Sequence, residues 1–249
     1  MAKKGVAKSL KSMHAPGFWP IHVKEFKWVT KPSPGPHPIE ESLPLSIIIR
    51  DILNYGKSAR ETKMILSEEK VQVDGKIRRD KKFPVGAMDI IEISDAKKAY
   101  RVLPFPGKGL TLVDIPDSEK KLKLCRIEDK TLVKGGNVQL NLHDGRNVLV
   151  KIKDPKKPKE DEYKTLDTLQ IKIPEQEILK HFPFKEGSYA LITSGRNIGN
   201  SGKIIKIEKS AFAKPSIVTM EDDKGDKFQT IADYVFIIGD EKPLIKLSE

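Results

Sequence analysis

Two Asp-Gly pairs set the tightest limits on what this chain can become. One lies in Val71-Gln72-Val73-Asp74-Gly75-Lys76-Ile77-Arg78-Arg79. The other lies in Val138-Gln139-Leu140-Asn141-Leu142-His143-Asp144-Gly145-Arg146-Asn147-Val148-Leu149-Val150. Asp-Gly accepts the positive φ of a two-residue hairpin turn, and an alternating run buries one face while wetting the other. Both stretches therefore predict antiparallel hairpins, with Gly75 as a turn residue. Asp167-Thr168-Leu169-Gln170-Ile171-Lys172-Ile173 alternates in the same way and predicts a further strand. The fold class expected is mixed α+β, mostly β.

Helical spacing is confined to one region. Leu45, Ile48, Ile49 and Ile52 recur at that spacing behind Pro44, and Gly56 ends the run. Ser58 then caps a second helix reaching about Leu66, with Glu61 at capping-box spacing and Met64 and Ile65 on the buried face. The order helix, helix, hairpin, strand over 43–93 encloses a small core. Lys57, Arg60 and Lys63 fall on the second helix, and Lys76, Arg78 and Arg79 on the hairpin. Cations on both elements suit a phosphate backbone.

The charge balance agrees. Lys plus Arg number 46 against 35 Asp plus Glu, a formal net charge of +11, so the chain attracts polyanions. Residues 1–42 form a basic N-terminal extension. Lys3, Lys4, Lys8, Lys11 and Lys24 are expected on RNA phosphates, and before Pro32 only Glu25 opposes them. Phe18, Trp19, Phe26 and Trp28 are interleaved, and Trp19 is a candidate for stacking on unpaired bases. The competing reading is that these aromatics pin the arm to the protein's own surface. Pro32, Pro34, Pro36 and Pro38 make a stiff, extended connector.

Several classes of function drop out. No run approaches the roughly 18 consecutive apolar residues of a membrane span, and the N-terminus is polar and basic, unlike a signal peptide. A lone Cys125 cannot form an internal disulfide, fits a reducing cytoplasm and reads as a core residue. His14, His22, His37, His143 and His181 lack ligand spacing, so neither metal nor cofactor is expected. Gly195, Gly199 and Gly202 sit in a loop between strands, yet Lys203 is followed by Ile204 and a strand, which is not a P-loop. Nucleotide hydrolysis is not expected on that ground. The hairpin-tip residues His143, Arg146 and Asn147 are secondary candidates for RNA contact.

Three resemblances give these parts names. Arg50-Asp51-Ile52-Leu53, Lys57-Ser58-Ala59-Arg60 and Val71-Gln72-Val73-Asp74-Gly75-Lys76 resemble the RNA-binding module named after bacterial small-subunit ribosomal protein four. That likeness implies RNA contact by Arg50, Lys57, Ser58, Arg60, Lys63 and the hairpin cations. Ser194-Gly195-Arg196-Asn197-Ile198-Gly199-Asn200-Ser201-Gly202-Lys203 between two strands resembles the KOW motif of SH3-like barrels. It implies a structural role for Gly202 and RNA contact by Arg196, Asn197 and Lys203.

The whole chain is similar to the archaeal and eukaryotic, e-type family of small-subunit ribosomal protein four. Pro34-Gly35-Pro36-His37, Glu41-Ser42-Leu43-Pro44-Leu45, Pro84-Val85-Gly86-Ala87-Met88-Asp89, Lys121-Leu122-Lys123-Leu124-Cys125 and Phe236-Ile237-Ile238-Gly239 carry that likeness. The short stretch after Gly239 aligns it with the archaeal members. The resemblance implies a non-catalytic, cytoplasmic component of the small ribosomal subunit. Its partners would be the subunit's large rRNA and neighbouring small-subunit proteins, with no membrane and no small-molecule substrate. The expected division is a helix-hairpin module at 43–93, a central β domain at 94–174, a KOW barrel at 175–240 and a short tail at 241–249. The alternatives are an RNA-modifying enzyme of pseudouridine synthase type and a KOW-containing transcription or translation regulator. His143-Asp144-Gly145-Arg146-Asn147 lacks the Gly-Arg-Leu-Asp context of such a synthase.

Overall fold

The apolar turn behind Pro44 is helical, and it is buried on every side. Helix α1 (Leu45–Ile47) widens into a π-type turn over Ile48–Ile52, where the Leu53 amide donates to the Ile48 carbonyl at 2.9 Å. Leu45, Ile47, Ile48 and Ile49 are all inaccessible to solvent, as a helix without a polar stripe must be. The computed structural model describes residues 8–152, 162–210 and 215–247; Lys3 and Lys4 lie outside them. None of the described helices is long and apolar enough to cross a membrane.

Helix α2 (Ala59–Ser67) begins where its cap predicts. The Glu61 amide donates to Ser58 Oγ at 3.2 Å, and Glu61 Oε2 accepts from the Lys57 amide at 2.8 Å. The buried face differs from expectation. Thr62 and Leu66 are buried one turn apart, whereas Met64 is exposed and Ile65 half-buried. Met64 stands two residues from each of these, which turns it about 200° around the axis to the wet side.

Strands dominate the rest: β1 (Leu10–Lys11), β2 (Trp28–Val29), β3 (Ser42–Pro44), β4 (Val71–Val73), β5 (Lys76–Ile77), β6 (Pro84–Gly86), β7 (Ile90–Ile93), β8 (Lys98–Phe105) and β9 (Gly109–Asp114). They continue with β10 (Leu122–Leu132), β11 (Val138–Leu142), β12 (Asn147–Val150), β13 (Thr168–Lys172), β14 (Glu177–Phe182), β15 (Tyr189–Ile192), β16 (Ser201–Glu208), β17 (Ile217–Glu221), β18 (Lys227–Ile231) and β19 (Val235–Gly239). Three five-stranded antiparallel sheets result, ordered β5-β4-β7-β8-β9, β12-β11-β10-β13-β14 and β18-β17-β16-β15-β19. Two short ribbons, β1-β2 and β3-β6, add to them. Both Asp-Gly pairs form hairpins, β4-β5 and β11-β12, and Asp74 and Gly75 both adopt positive φ as a type I′ turn requires.

Sheet membership departs from the expected cuts at 93/94 and 174/175. Strands β8 and β9 hydrogen-bond into the first sheet, and β14 bonds into the second. Backbone pairing of β7 with β8 over Ile90–Ile93 carries the first sheet across the predicted boundary. Where the sheets meet, Leu103, Leu124, Phe182, Leu191, Phe236 and Ile238 share one apolar core. Cys125 is buried in the second sheet's core, as its isolation predicts.

A buried ionic cluster ties these parts together. Lys123, with none of its side chain exposed, donates to Asp74 Oδ2 at 2.7 Å and to Asp89 Oδ1 at 2.5 Å, and pairs with Asp144 Oδ2 at 3.0 Å. Arg146 reaches Asp74 and Asp144 at 2.8 and 3.1 Å, and His37 Nε2 lies 3.1 Å from Asp89 Oδ2. Backbone amides of Ile90 and Gly86 donate to Asp74 and Asp89. Burial alone would lower the Lys123 pKa, but Asp89, Asp74 and Asp144 raise it well above the usual value. Burial likewise opposes a charged Asp144, yet Lys123, His143 and Arg146 hold its pKa near about 2. For His37, burial works downward and Asp89 works upward, with a net rise. A protonated His37 balances three carboxylates with three cations: His37 comes from the arm, Asp74 and Asp89 flank strands of the first sheet, and Lys123, Asp144 and Arg146 belong to the second.

Candidate nucleic-acid interface

Helix α2 owes its place to Leu66, which joins the core of Leu45, Ile48, Val71 and Val73. With that stripe inward, Arg60 and Lys63 stand in solvent, as does Lys57 just before the cap. Ser58 spends its hydroxyl on the cap, so its established part is to fix the helix start. Arg50 is occupied locally: Nε and Nη2 donate to the two Asp51 oxygens at 2.8 and 2.9 Å.

On the hairpin, Lys76 is exposed and Arg78 is half-buried with its guanidinium 4.3 Å from the Phe83 ring centre. Arg79 pairs with Glu69 at the surface. Lys76 and Arg78 line one cleft of about 290 Å³ together with Arg146. Arg78 and Arg79 line a second cleft, against Ser33 and Pro34 of the connector. These are the sequence-predicted cations that the fold brings together. Gly75 supplies the turn, and a Cβ there would press on Ile173 Cγ2 at 3.3 Å.

The hairpin-tip candidates divide. Asn147 is exposed, but Arg146 is committed to Asp74 and Asp144. His143 packs edge-on to Phe236, accepts from the Arg126 amide through Nδ1 at 3.2 Å, and has Nε2 3.3 Å from the Ala87 carbonyl. Burial pushes the His143 pKa down to about 3.

In the third sheet, Arg196 and Lys203 are exposed, while Asn197 Nδ2 donates to the Gln229 carbonyl at 3.3 Å. Gly202 faces the Glu221 carbonyl so closely that a Cβ would overlap it. Gly199, at positive φ, rests on the Phe105-Pro106 turn. In the arm, Lys8, Lys11 and Lys24 are exposed. Trp19 is not: it is 4% exposed, with Nε1 donating to the Ser42 carbonyl at 3.0 Å. Its ring lies in the core with Leu43 and Leu45, so the base-stacking expectation for Trp19 is corrected in favour of an anchor.

Cys125, His143 and Asp144 are the one trio of candidate metal donors among the described residues. Their donor atoms are already engaged. Both His143 nitrogens have backbone partners, Asp144 is neutralised by Lys123 and Arg146, and burial raises the Cys125 thiol pKa well above its usual value. The trio does not fit a metal. Sequence reasoning gave Lys123 no role beyond its place in the Lys121–Cys125 stretch that carries the family likeness. The local signal was a lysine between Leu122 and Leu124, and the structure buries the Lys123–Cys125 stretch of that strand on both faces.

Comparison with known proteins assigns the chain. The model of Ribosomal family S4e matches residues 96–178, and that of the RS4NT (NUC023) domain matches residues 4–40. Small ribosomal subunit protein eS4 of Staphylothermus marinus is 58% identical over 249 residues, covering 100% of this chain and 99% of the relative. The protein of the same name from Methanocaldococcus jannaschii is 51% identical over 247 residues, covering 99% and 100%. The crystal structure of 30S ribosomal protein S4e from Thermoplasma acidophilum aligns with a TM-score of 0.66 at 32% identity, covering 80% of this chain and 95% of that one. The chain therefore belongs to ribosomal protein family S4e.

Proposed function

We propose that this protein is a non-catalytic component of the small ribosomal subunit that binds the subunit's large rRNA and sits on the ribosome in the cytoplasm. The observation that carries this reading is its end-to-end kinship with proteins named small ribosomal subunit protein eS4. The RNA-facing groups are Lys8, Lys11 and Lys24 of the arm, Lys57, Arg60 and Lys63 around α2, Lys76, Arg78 and Arg79 on the hairpin, and Arg196 and Lys203 in the third sheet. Their exposure, complete but for the half-buried Arg78, supports the assignment together with a net charge of +11. Arg79 would exchange its Glu69 partner for phosphate, and Arg50 and Asn197 would have to loosen theirs to join the set. On this reading the helix-hairpin region over 43–93 is an RNA-binding module, and the third sheet is a KOW-type SH3-like barrel. Neighbouring small-subunit proteins complete its surroundings. The cations address phosphates, so RNA shape rather than sequence is read.

The test is binding of a small-subunit rRNA fragment across a salt series. Arg60→Glu with Lys63→Glu should weaken binding and reduce the log-log salt slope by about 1.5, at roughly 0.7–0.9 per phosphate contact. The circular dichroism spectrum should not change, because both side chains point into solvent. Unaltered affinity and slope would remove α2 from the interface.

A further inference from the structure

The two tryptophans of this chain have opposite fates. Trp19 is sealed in the core, whereas Trp28 is 53% exposed and Phe26 is 65% exposed. Trp28 pairs with Lys11 in the β1-β2 ribbon. Its neighbour Val29 pairs with Leu10, and both pack against the core, so alternation turns Trp28 to the opposite face. The surrounding turn is fixed from within. The buried Ser12 Oγ lies 2.6 Å from the Phe26 carbonyl and 2.8 Å from the Val23 carbonyl, and the Ser12 amide donates to Lys27 at 3.1 Å. Two large aromatic rings are thus held out in water on a tethered frame.

Lysines stand on the same ribbon and turn. Lys11, Lys24 and Lys27 are exposed, and Lys27 Nζ stands 5.6 Å from the Trp28 ring centre. An exposed aromatic face with Lys27 beside it and Lys11 across the ribbon matches a nucleotide, whose base offers a π-face and whose phosphate offers negative charge. A duplex would hide its base faces in its own stack, so the matching partner is unpaired RNA.

We propose that Trp28, flanked by Phe26, is a stacking platform for an unpaired base of single-stranded RNA, with Lys11, Lys24 and Lys27 on the adjoining phosphates. The proposal rests on the rRNA-binding reading and specifies which kind of RNA the arm takes. Because Trp19 is buried, a change in tryptophan emission on adding RNA reports Trp28. The full chain is titrated with a twelve-nucleotide oligoadenylate and with a blunt RNA duplex of equal length. The single strand should quench emission and the duplex should not. Trp28→Ala should lower single-strand affinity roughly 5- to 150-fold, the range expected for loss of one stacked base, and Trp28→Phe should retain most of it.

Equal quenching by both RNAs, or undiminished single-strand affinity in Trp28→Ala, would overturn the proposal. If that happens while Arg60→Glu with Lys63→Glu still weakens binding to the rRNA fragment, stacking fails and the ribosomal reading stands. If the wild-type chain binds neither RNA nor the fragment, both fail. Loss of Trp28→Ala from assembled subunits without loss of RNA affinity would give this face to a neighbouring protein and likewise overturn stacking.

Discussion

Replacing Lys123 by Met tests whether the buried ionic cluster holds the sheets together. Met fills a similar unbranched volume and carries no charge, so packing changes little while three carboxylates lose their shared cation. Arg146 still reaches Asp74 and Asp144, but Asp89 keeps only His37 and the Gly86 amide. Breaking a buried pair by removing one partner costs about 3–5 kcal/mol. In a chain of this size each kcal/mol moves Tm by about 2–4 °C, so Lys123→Met should melt roughly 6–20 °C lower. The assay is thermal and urea unfolding followed by far-ultraviolet circular dichroism. Adding Asp89→Asn, which keeps an acceptor for Gly86 but removes the stranded charge, should recover part of the loss. A cost below about 1 kcal/mol, as for an exposed pair, would refute the reasoning. So would strict additivity of the two substitutions.

The remaining predictions concern the same junction. His143 titrates near about 3 in the fold, so below its ordinary 6.5 the unfolded chain binds a proton that the folded chain refuses. Stability should therefore fall as pH drops from 6.5 towards 3, by up to about 1.4 kcal/mol per pH unit. Asp144 adds stability above its ordinary 3.8 that is lost as pH falls through about 2. His37, with a raised pKa, contributes the opposite sign: its stabilisation is complete below 6.5 and fades as pH climbs through the folded value. His143→Asn should flatten the decline of the urea midpoint between pH 6.5 and 4, and an unchanged slope would clear His143 of the effect. A Cβ on Gly86 would overlap the His37 ring. Gly86→Ala should cost about 1–3 kcal/mol in thermal unfolding, and a neutral result would show that the arm can shift at no cost.

What could be foreseen from the sequence was local. The Asp-Gly hairpins, the Ser58 cap and the alternation of Val138, Leu140 and Leu142 depend on neighbours in the chain, and each stands where the pattern put it. What could not be foreseen was contact between distant segments. Asp74 and Asp144 read as turn residues, and they are that, but their carboxylates also face Lys123 from positions 49 and 21 residues away. Trp19 was misjudged for the same reason. Nothing near it reveals that Ser42 offers a carbonyl and Leu43 a wall. Among the cations, exposure followed the pattern on α2, where one apolar stripe decides which side is wet. It failed at Arg146, whose partner Asp74 lies 72 residues away.

The same ionic cluster also imposes an order in time. Asp74 and Asp89 emerge from synthesis 49 and 34 residues ahead of Lys123. At about 5–20 residues per second, that leaves seconds in which the first sheet has its carboxylates and, of their three counter-charges, only His37. Burying them then would cost several kcal/mol per ion, so water keeps that edge open until β10 arrives. His37, which packs on Asp89, waits with it. A chain made from its N-terminus thus fixes its N-terminal connector only after the middle of the molecule has been delivered.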